Sequence, residues 1–219
     1  FVAAAGHELR SPLAVIKASL AAAEDPALPE ARRRGFLHTA QREADRLARL
    51  TGDLQLLAAG DAGALTVRPG PVAADTLCIE VYEQFYLLAR AQGRRLTLQL
   101  PEAPLPPLVT DGGRLTQLLT ILLQKALDHT SPGTPVELTL QPAPGRLRLR
   151  VIDHGPGIPD DRKEQVFDRF FRADASRTRK ENFGLGLSVA RELARGLGAA
   201  LTLADTPGGG ATFTVDLPA

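Results

Sequence analysis

At 219 residues with 44% hydrophobic content, the chain carries enough apolar side chains for one large core or two small ones, and a folded, soluble protein is expected. Its 26 Lys plus Arg against 25 Asp plus Glu leave a net charge of +1, which excludes a whole-chain field that would recruit nucleic acid or an anionic membrane. The single cysteine, Cys78, excludes an internal disulfide and a cysteine-based zinc site, and points to a reducing compartment such as the cytoplasm. No apolar run approaches the ~18 residues of a membrane span, and nothing at the amino terminus reads as a signal peptide. The chain starts at Phe1 and has no methionine, so a piece cut from a longer protein is expected.

Residues 1–59 are rich in Ala, Leu, Arg and Glu, interrupted by Asp25, Pro26 and Pro29, which predicts two helices and a short turn. Leu9, Leu13, Ile16 and Leu20 are spaced four, three, four, the seam of a heptad repeat; Phe36, Ala40, Ala44, Leu47, Leu54 and Leu57 continue a similar stripe. A lone hairpin buries little, so a homodimer pairing two hairpins in a four-helix bundle is expected. A glycine-rich break at Gly60–Gly63 places a domain boundary there, with one unit over 1–60 and a second over 64–219. Val72–Ala89 and Asp111–His129 read as helices and Arg95–Leu100 as a strand. Val136–Gln141 and Leu147–Ile152 alternate as two strands of a hairpin turning through Pro142–Gly145. Residues 160–182 read as a long charged loop, Gly184–Leu197 as a helix, and Ala200–Ala204 and Ala211–Leu217 as closing strands around Gly208–Gly210. The fold class is α+β: a helical hairpin, then a sandwich with helices on one face of a mixed sheet.

His7 falls at a heptad b position and Ser11 at f, both facing solvent, with Ser11 one turn after His7. Glu8 can accept a proton from one imidazole nitrogen and leave the other as a nucleophile. Pro12 removes the helical hydrogen bond to the Glu8 carbonyl and weakens the turn beside His7. An exposed histidine on a charged helix accounts for the same residues without chemistry. Further along, Asp153 ends a strand and is followed by Gly155 and Gly157; a carboxylate there can accept from an adenine amino group, and the glycines admit close approach of a ligand. A plain glycine turn is the alternative. Gly184, Leu185 and Gly186 open a helix whose unpaired amides suit phosphate, or simply start it. Residues 172–180 hold Arg172, Arg177, Arg179 and Lys180 against Asp174, which suits either phosphate attraction or a solvated loop. Phe167, Phe170 and Phe171 read as hydrophobic anchors, and Cys78 as core.

In this order the motifs resemble a known family. Phe1 followed by His7-Glu8-Leu9-Arg10-Ser11-Pro12-Leu13 resembles the phosphoacceptor box of bacterial sensor histidine kinases. Asp153-His154-Gly155-Pro156-Gly157, then Val166–Arg172, then Phe183–Leu187 look like the first glycine box, phenylalanine box and second glycine box of that family's ATP-binding domain. Asp111, Arg114, Leu115 and Gln117 resemble the run into its N box. The resemblance covers nearly the whole chain. It implies a HisKA-type dimerisation hairpin followed by a GHKL (Bergerat) ATP-binding sandwich, and an ATP-dependent protein-histidine kinase of two-component signal transduction. His7 would take the γ-phosphoryl group and pass it to an aspartate of a response-regulator receiver domain. Glu8 would be the proton acceptor, Ser11 an aid to dephosphorylation of the regulator, Asp153 the adenine reader, and Gly155, Gly157, Gly184 and Gly186 close-approach sites, with Leu185 and Arg172 beside the phosphates. ATP and Mg2+ are the implied cofactors. A homodimer is implied and nucleic acid is not; membrane attachment would come only through a missing upstream segment, the chain being the cytoplasmic part of a membrane-bound sensor.

The chain departs from that pattern in its N box. Two positions where the family usually has asparagines, the second near magnesium, are Ile121 and Lys125, and Asp128 stands where a lysine is common. Isoleucine offers no polar contact, and an ammonium has no lone pair for a metal. Asp128 could serve as an oxygen ligand, and Lys125 could neutralise phosphate directly or pair with Asp128. Glu181 and Asn182 replace frequent glycines, and Ser11 replaces a common threonine or asparagine. A docking module with weak or absent ATP turnover, biased towards dephosphorylating a regulator, is the rival reading. Another GHKL ATPase would not explain the histidine hairpin.

Overall fold

The structure, a computed structural model, describes residues 2–171 and 183–219, and the side chains from Ala4 onward. Phe1, Arg172, Asp174, Arg177, Arg179, Lys180, Glu181 and Asn182 lie outside the described residues. Helix α1 runs Val2–Ala23 and α2 runs Glu30–Asp61, packed as a hairpin. The turn between them is closed locally: Asp25 Oδ1 accepts from Ala27 N at 2.8 Å, and Arg33 Nε donates to the Ala23 carbonyl at 2.8 Å, satisfying an orphan acceptor at the end of α1. Pro12 sits inside an unbroken α1 and is buried there.

The expected seam of α1 splits into two stripes. Ala5, Pro12, Ser19 and Ala23 are buried and Leu9 and Ile16 are half-buried, a four-three repeat. Leu13 and Leu20, assigned to the same seam from their spacing, stay 49% and 44% exposed. The reason is geometric: Ala5, Pro12 and Ser19 occupy the buried face of α1, and the leucines lie to the side of it. On α2, Ala40 and Leu57 are buried as expected, Ala44 is exposed, and Leu50 and Leu56, off the expected stripe, are buried instead.

Strand β1 (Gly70–Val72) pairs antiparallel with β3 (Leu108–Thr110). Val72, expected as the start of a helix, is therefore strand, and helix α3 runs Ala74–Ala91. Strands β2 (Arg95–Gln99), β4 (Pro135–Ala143), β5 (Arg146–Asp153), β6 (Ala200–Asp205) and β7 (Ala211–Pro218) form one sheet in the order β2-β4-β5-β7-β6. Only β2 and β4 are parallel. Alternation on β5 buries Leu147, Leu149 and Val151 towards the helices and sends Arg146, Arg148 and Arg150 to the other face. There Arg148 forks onto Asp216 at 2.6 and 2.8 Å, and this holds the Asp216 carboxyl below its ordinary range.

Helix α4 (Gly112–His129) is capped by Asp111, whose Oδ1 accepts from Arg114 N at 3.0 Å and whose Oδ2 accepts from Arg68 N at 2.8 Å. Those amides, Arg68 foremost, keep the Asp111 carboxyl low. Leu115, Leu118, Leu119, Leu122, Leu123 and Leu127 of α4 are fully buried against the sheet and against α5 (Gly186–Gly196). Cys78 belongs to the same core, its thiol pushed up to about 12 by burial. The segment read as a charged loop holds short 3-10 turns at Asp160–Arg162 and Gln165–Phe167. Phe167 anchors it edge-on to Phe213, 6.4 Å between ring centres.

The second half of α2 crosses onto the sheet domain. Leu50, Leu56 and Leu57 join the core of that domain. Around them Arg46 stacks on the Phe183 ring at 4.2 Å, Arg169 forks onto Asp61 at 2.7 and 2.5 Å, and Arg195 donates to the Gly60 carbonyl at 2.7 Å.

Candidate functional site

A cleft of about 920 Å³ opens between α2, α4 and the chain entering α5. Helix α4 lines it with Arg114, Gln117, Ile121, Gln124, Lys125 and Asp128, spacings that place them along one side of the helix. Phe183–Leu187 form the facing wall, and α2 contributes Arg49 and Asp53. Lys125, Asp128, Gly184, Leu185 and Gly186, candidate site residues from sequence, thus meet in one place, with Arg114, Gln117 and Ile121 of the same sequence motif beside them. Arg49 and Asp53 escaped the sequence reading, because nothing local in α2 signals that its far end turns towards the other domain.

Gly184 is required by the backbone itself. Its φ is +75°, and a Cβ would come within 2.7 Å of the Phe171 carbonyl oxygen. Gly186 meets only ordinary contacts, the nearest being Ile121 Cγ2 at 3.5 Å, so it packs the entry to α5 against α4.

Lys125 is half-buried, and among the described residues no carboxylate forms an ion pair with its ammonium. The pairing with Asp128 considered from sequence does not form: Asp128 Oδ1 instead accepts from Gln124 Nε2 at 2.9 Å. Burial pushes the Lys125 ammonium down from its ordinary range, and the charge of Asp128 partly offsets this. Across the cleft, burial raises Asp53 to about 6, with Arg49 pulling it back.

Beyond the end of α4 lies the second cluster. Asp153, at the end of β5, is 5% exposed; its Oδ1 accepts from Gly155 N at 2.9 Å and Ala211 N at 3.2 Å. Oδ2 accepts no hydrogen bond from a described residue. Burial raises the Asp153 carboxyl in spite of the two amides. A Cβ on Gly155 would lie 2.9 Å from the His129 carbonyl oxygen, so this turn is pressed against the last turn of α4. Gly157 (φ +75°) backs onto Gly210 (φ +112°), where any side chain would overlap the Asp153 carbonyl. Gly210 and Ala211, read from sequence only as parts of a closing turn and strand, therefore shape the Asp153 site. Beside it, His154 Nε2 lies 3.1 Å from Glu137 Oε1.

His7, Glu8 and Ser11 stand apart from both clusters, on α1. His7 and Ser11 are exposed and Glu8 is half-buried. Arg172 lies outside the described residues. Among the described residues no group of three His, Cys, Asp or Glu side chains is placed to hold a metal ion, and no helix is long and apolar enough to cross a membrane.

Comparison with known proteins assigns both halves. Residues 110–219 match the family of histidine kinase-, DNA gyrase B- and HSP90-like ATPases, and residues 1–63 match the His Kinase A (phospho-acceptor) domain. Over its whole length the chain is 37% identical to TcrY of Mycobacterium tuberculosis, described as a probable sensor histidine kinase, and covers 45% of that protein. It is 32% identical to the signal transduction histidine-protein kinase BaeS of Escherichia coli, again over all of this chain and 46% of the relative. The chain thus spans about half the length of these relatives. Full-length ShkA, solved in complex with AMPPNP, superposes with a TM-score of 0.75 at 27% identity, over 97% of this chain and 44% of that one.

Proposed function

The chain belongs to the sensor histidine kinases, and from that premise we propose that it is the catalytic core of such a sensor, phosphorylating itself on His7 and handing the phosphoryl group to a response regulator. The observation that carries this reading is His7 itself: an exposed imidazole on α1, followed by Glu8 and with Ser11 one turn on, in a hairpin whose second helix runs directly into the wall of the nucleotide cleft.

Asp153 reads adenine by presenting its free Oδ2 to the exocyclic amino group, its other oxygen held by two amides. The amides entering α5 at Gly184, Leu185 and Gly186 face the phosphates, and the family pattern gives a phosphate role to Arg172, which lies outside the described residues. A ring nitrogen of His7 attacks the γ-phosphorus, the bond from phosphorus to the bridging oxygen breaks, and ADP leaves. Glu8 takes the proton from the other ring nitrogen. The phosphoryl group then passes to an aspartate of a receiver domain, and His7 is restored. Ser11 positions the water that hydrolyses the aspartyl phosphate on the regulator, releasing inorganic phosphate and restoring the aspartate.

Magnesium accompanies ATP throughout this family's chemistry, yet the residues here do not fit a protein-held ion. Ile121 and Lys125 supply no lone pair, and Asp128, whose Oδ1 accepts from Gln124, brings a single carboxylate placed beside an ammonium that repels a divalent ion. No step is therefore assigned to it. We assign the hairpin to residues 1–60 and the ATP-binding unit to 64–219, and place the chain on the cytoplasmic side of a membrane-bound sensor whose upstream part detects the stimulus. The partners are a second copy, paired through the hairpin, and the receiver domain.

The test is incubation with ATP labelled at the γ-phosphate. Label that is acid-labile, base-stable and lost in His7→Ala is expected. Nucleotide binding without label would instead establish the rival, a docking module that does not turn over ATP.

A further inference from the structure

We infer that the Lys125 ammonium is a built-in counter-cation for nucleotide phosphate, so that the cleft takes ATP and ADP in their metal-free forms and magnesium competes with the lysine instead of assisting it. This rests on the reading of the cleft as an adenine nucleotide site.

Three observations place the charge. Lys125 lies one helical turn beyond Ile121, and Ile121 packs against Gly186 at the entry to α5, so the ammonium shares the cleft with the amides that face phosphate. It is half-buried and unpaired among the described residues, while its natural neighbour Asp128 is turned to Gln124. A partly desolvated charge held in no ion pair, and only partly offset by the nearby charge of Asp128, is costly, and an anionic ligand reduces that cost. The cleft also leans positive: Arg49, Arg114 and Lys125 face Asp53 and Asp128, and Asp53 is shifted towards neutrality.

The chemistry follows from what an ammonium can do. It donates three hydrogen bonds and attracts phosphate oxygens, as a divalent ion would, but it cannot ligate that ion and repels it at close range. A nucleotide seated on Lys125 gains little from magnesium.

Calorimetric titration of the protein with ATP and with ADP, in excess magnesium and in chelator, tests this. The expected affinity in chelator is at least equal to that in magnesium. Lys125→Asn should lose about 10- to 100-fold in chelator, the loss of one charge-assisted hydrogen bond or two, and regain affinity when magnesium is added. Lys125→Arg keeps the charge and should keep metal-free binding, which separates loss of charge from loss of fold. Wild-type protein that binds only with magnesium overturns the inference and leaves the nucleotide reading intact. Affinity in chelator unchanged by Lys125→Asn also overturns it. Binding of neither nucleotide in either condition removes the nucleotide reading, and the inference with it.

Discussion

Asp53 lies in the cleft wall with its carboxyl raised from an ordinary 3.8 to about 6, chiefly by burial. The folded chain therefore holds a proton there that the unfolded chain has released, over the window between those two values. Stability falls as pH rises through that window, and the full penalty is present above it. Asp53→Asn removes the penalty and is expected to stabilise the protein by about 1–2 kcal/mol at pH 7.5, after discounting for the solvent-facing part of the side chain, and by nothing measurable at pH 3.5. Urea titrations at both pH values check this; an equal gain at both would assign the effect to packing. Asp153 is spoken for differently. In Asp153→Asn, Oδ1 still accepts from Gly155 and Ala211, but the free oxygen becomes a donor facing the adenine amino group. ATP affinity should drop about 10- to 100-fold with little change in melting temperature, measured by titration and thermal unfolding.

At the scale of elements, α1 carries two stripes, each repeating every seven residues and offset by four, that a linear reading fused into one. Spacing alone finds Leu9, Leu13, Ile16 and Leu20; only packing shows that Leu9 and Ile16 are half-buried while Leu13 and Leu20 stay exposed, as does Leu37 on α2 at 51%, and the proposed pairing with a second copy would cover them. Leu13→Glu with Leu20→Glu should therefore turn dimer into monomer in light scattering while helical circular dichroism persists, whereas loss of helix would place these leucines in the hairpin's own seam. Helix α4 was legible from end to end, because a capping aspartate precedes an amphipathic run that is locally unambiguous. Strand β1 was not. Its three residues are specified by pairing with β3, nearly forty residues on, and no local pattern in Gly70–Val72 reports that partner. The candidate site was legible where glycines and an aspartate cluster in sequence, and illegible where it depends on distant chain: Ala211 reaching Asp153, and Arg49 and Asp53 arriving from the hairpin.

At the scale of the whole molecule, the charged contacts of α2 decide where the two halves touch. Asp61→Arg opposes Arg169 and should expose the junction near residue 61 to limited proteolysis; Arg169→Asp in the same chain restores an attractive pair and should restore protection. An unchanged digest in the single variant would show that the apolar contacts suffice. Those apolar contacts carry a thermodynamic consequence. Leu50, Leu56 and Leu57 are rooted in the hairpin by their backbone and in the sheet domain by their side chains, and emptying one such buried leucine site typically costs 2–5 kcal/mol. Neither half can melt without taking apart the other's packing, so heating should give one calorimetric transition whose van't Hoff and measured enthalpies agree. A chain cut at residue 64 forfeits all three side chains and should melt well below one that keeps α2 from Arg46 onward. On that expectation the hairpin and the sheet domain, separate in outline, share one unfolding equilibrium, and a torque applied at the start of α1 should register as a change in the stability of the candidate cleft.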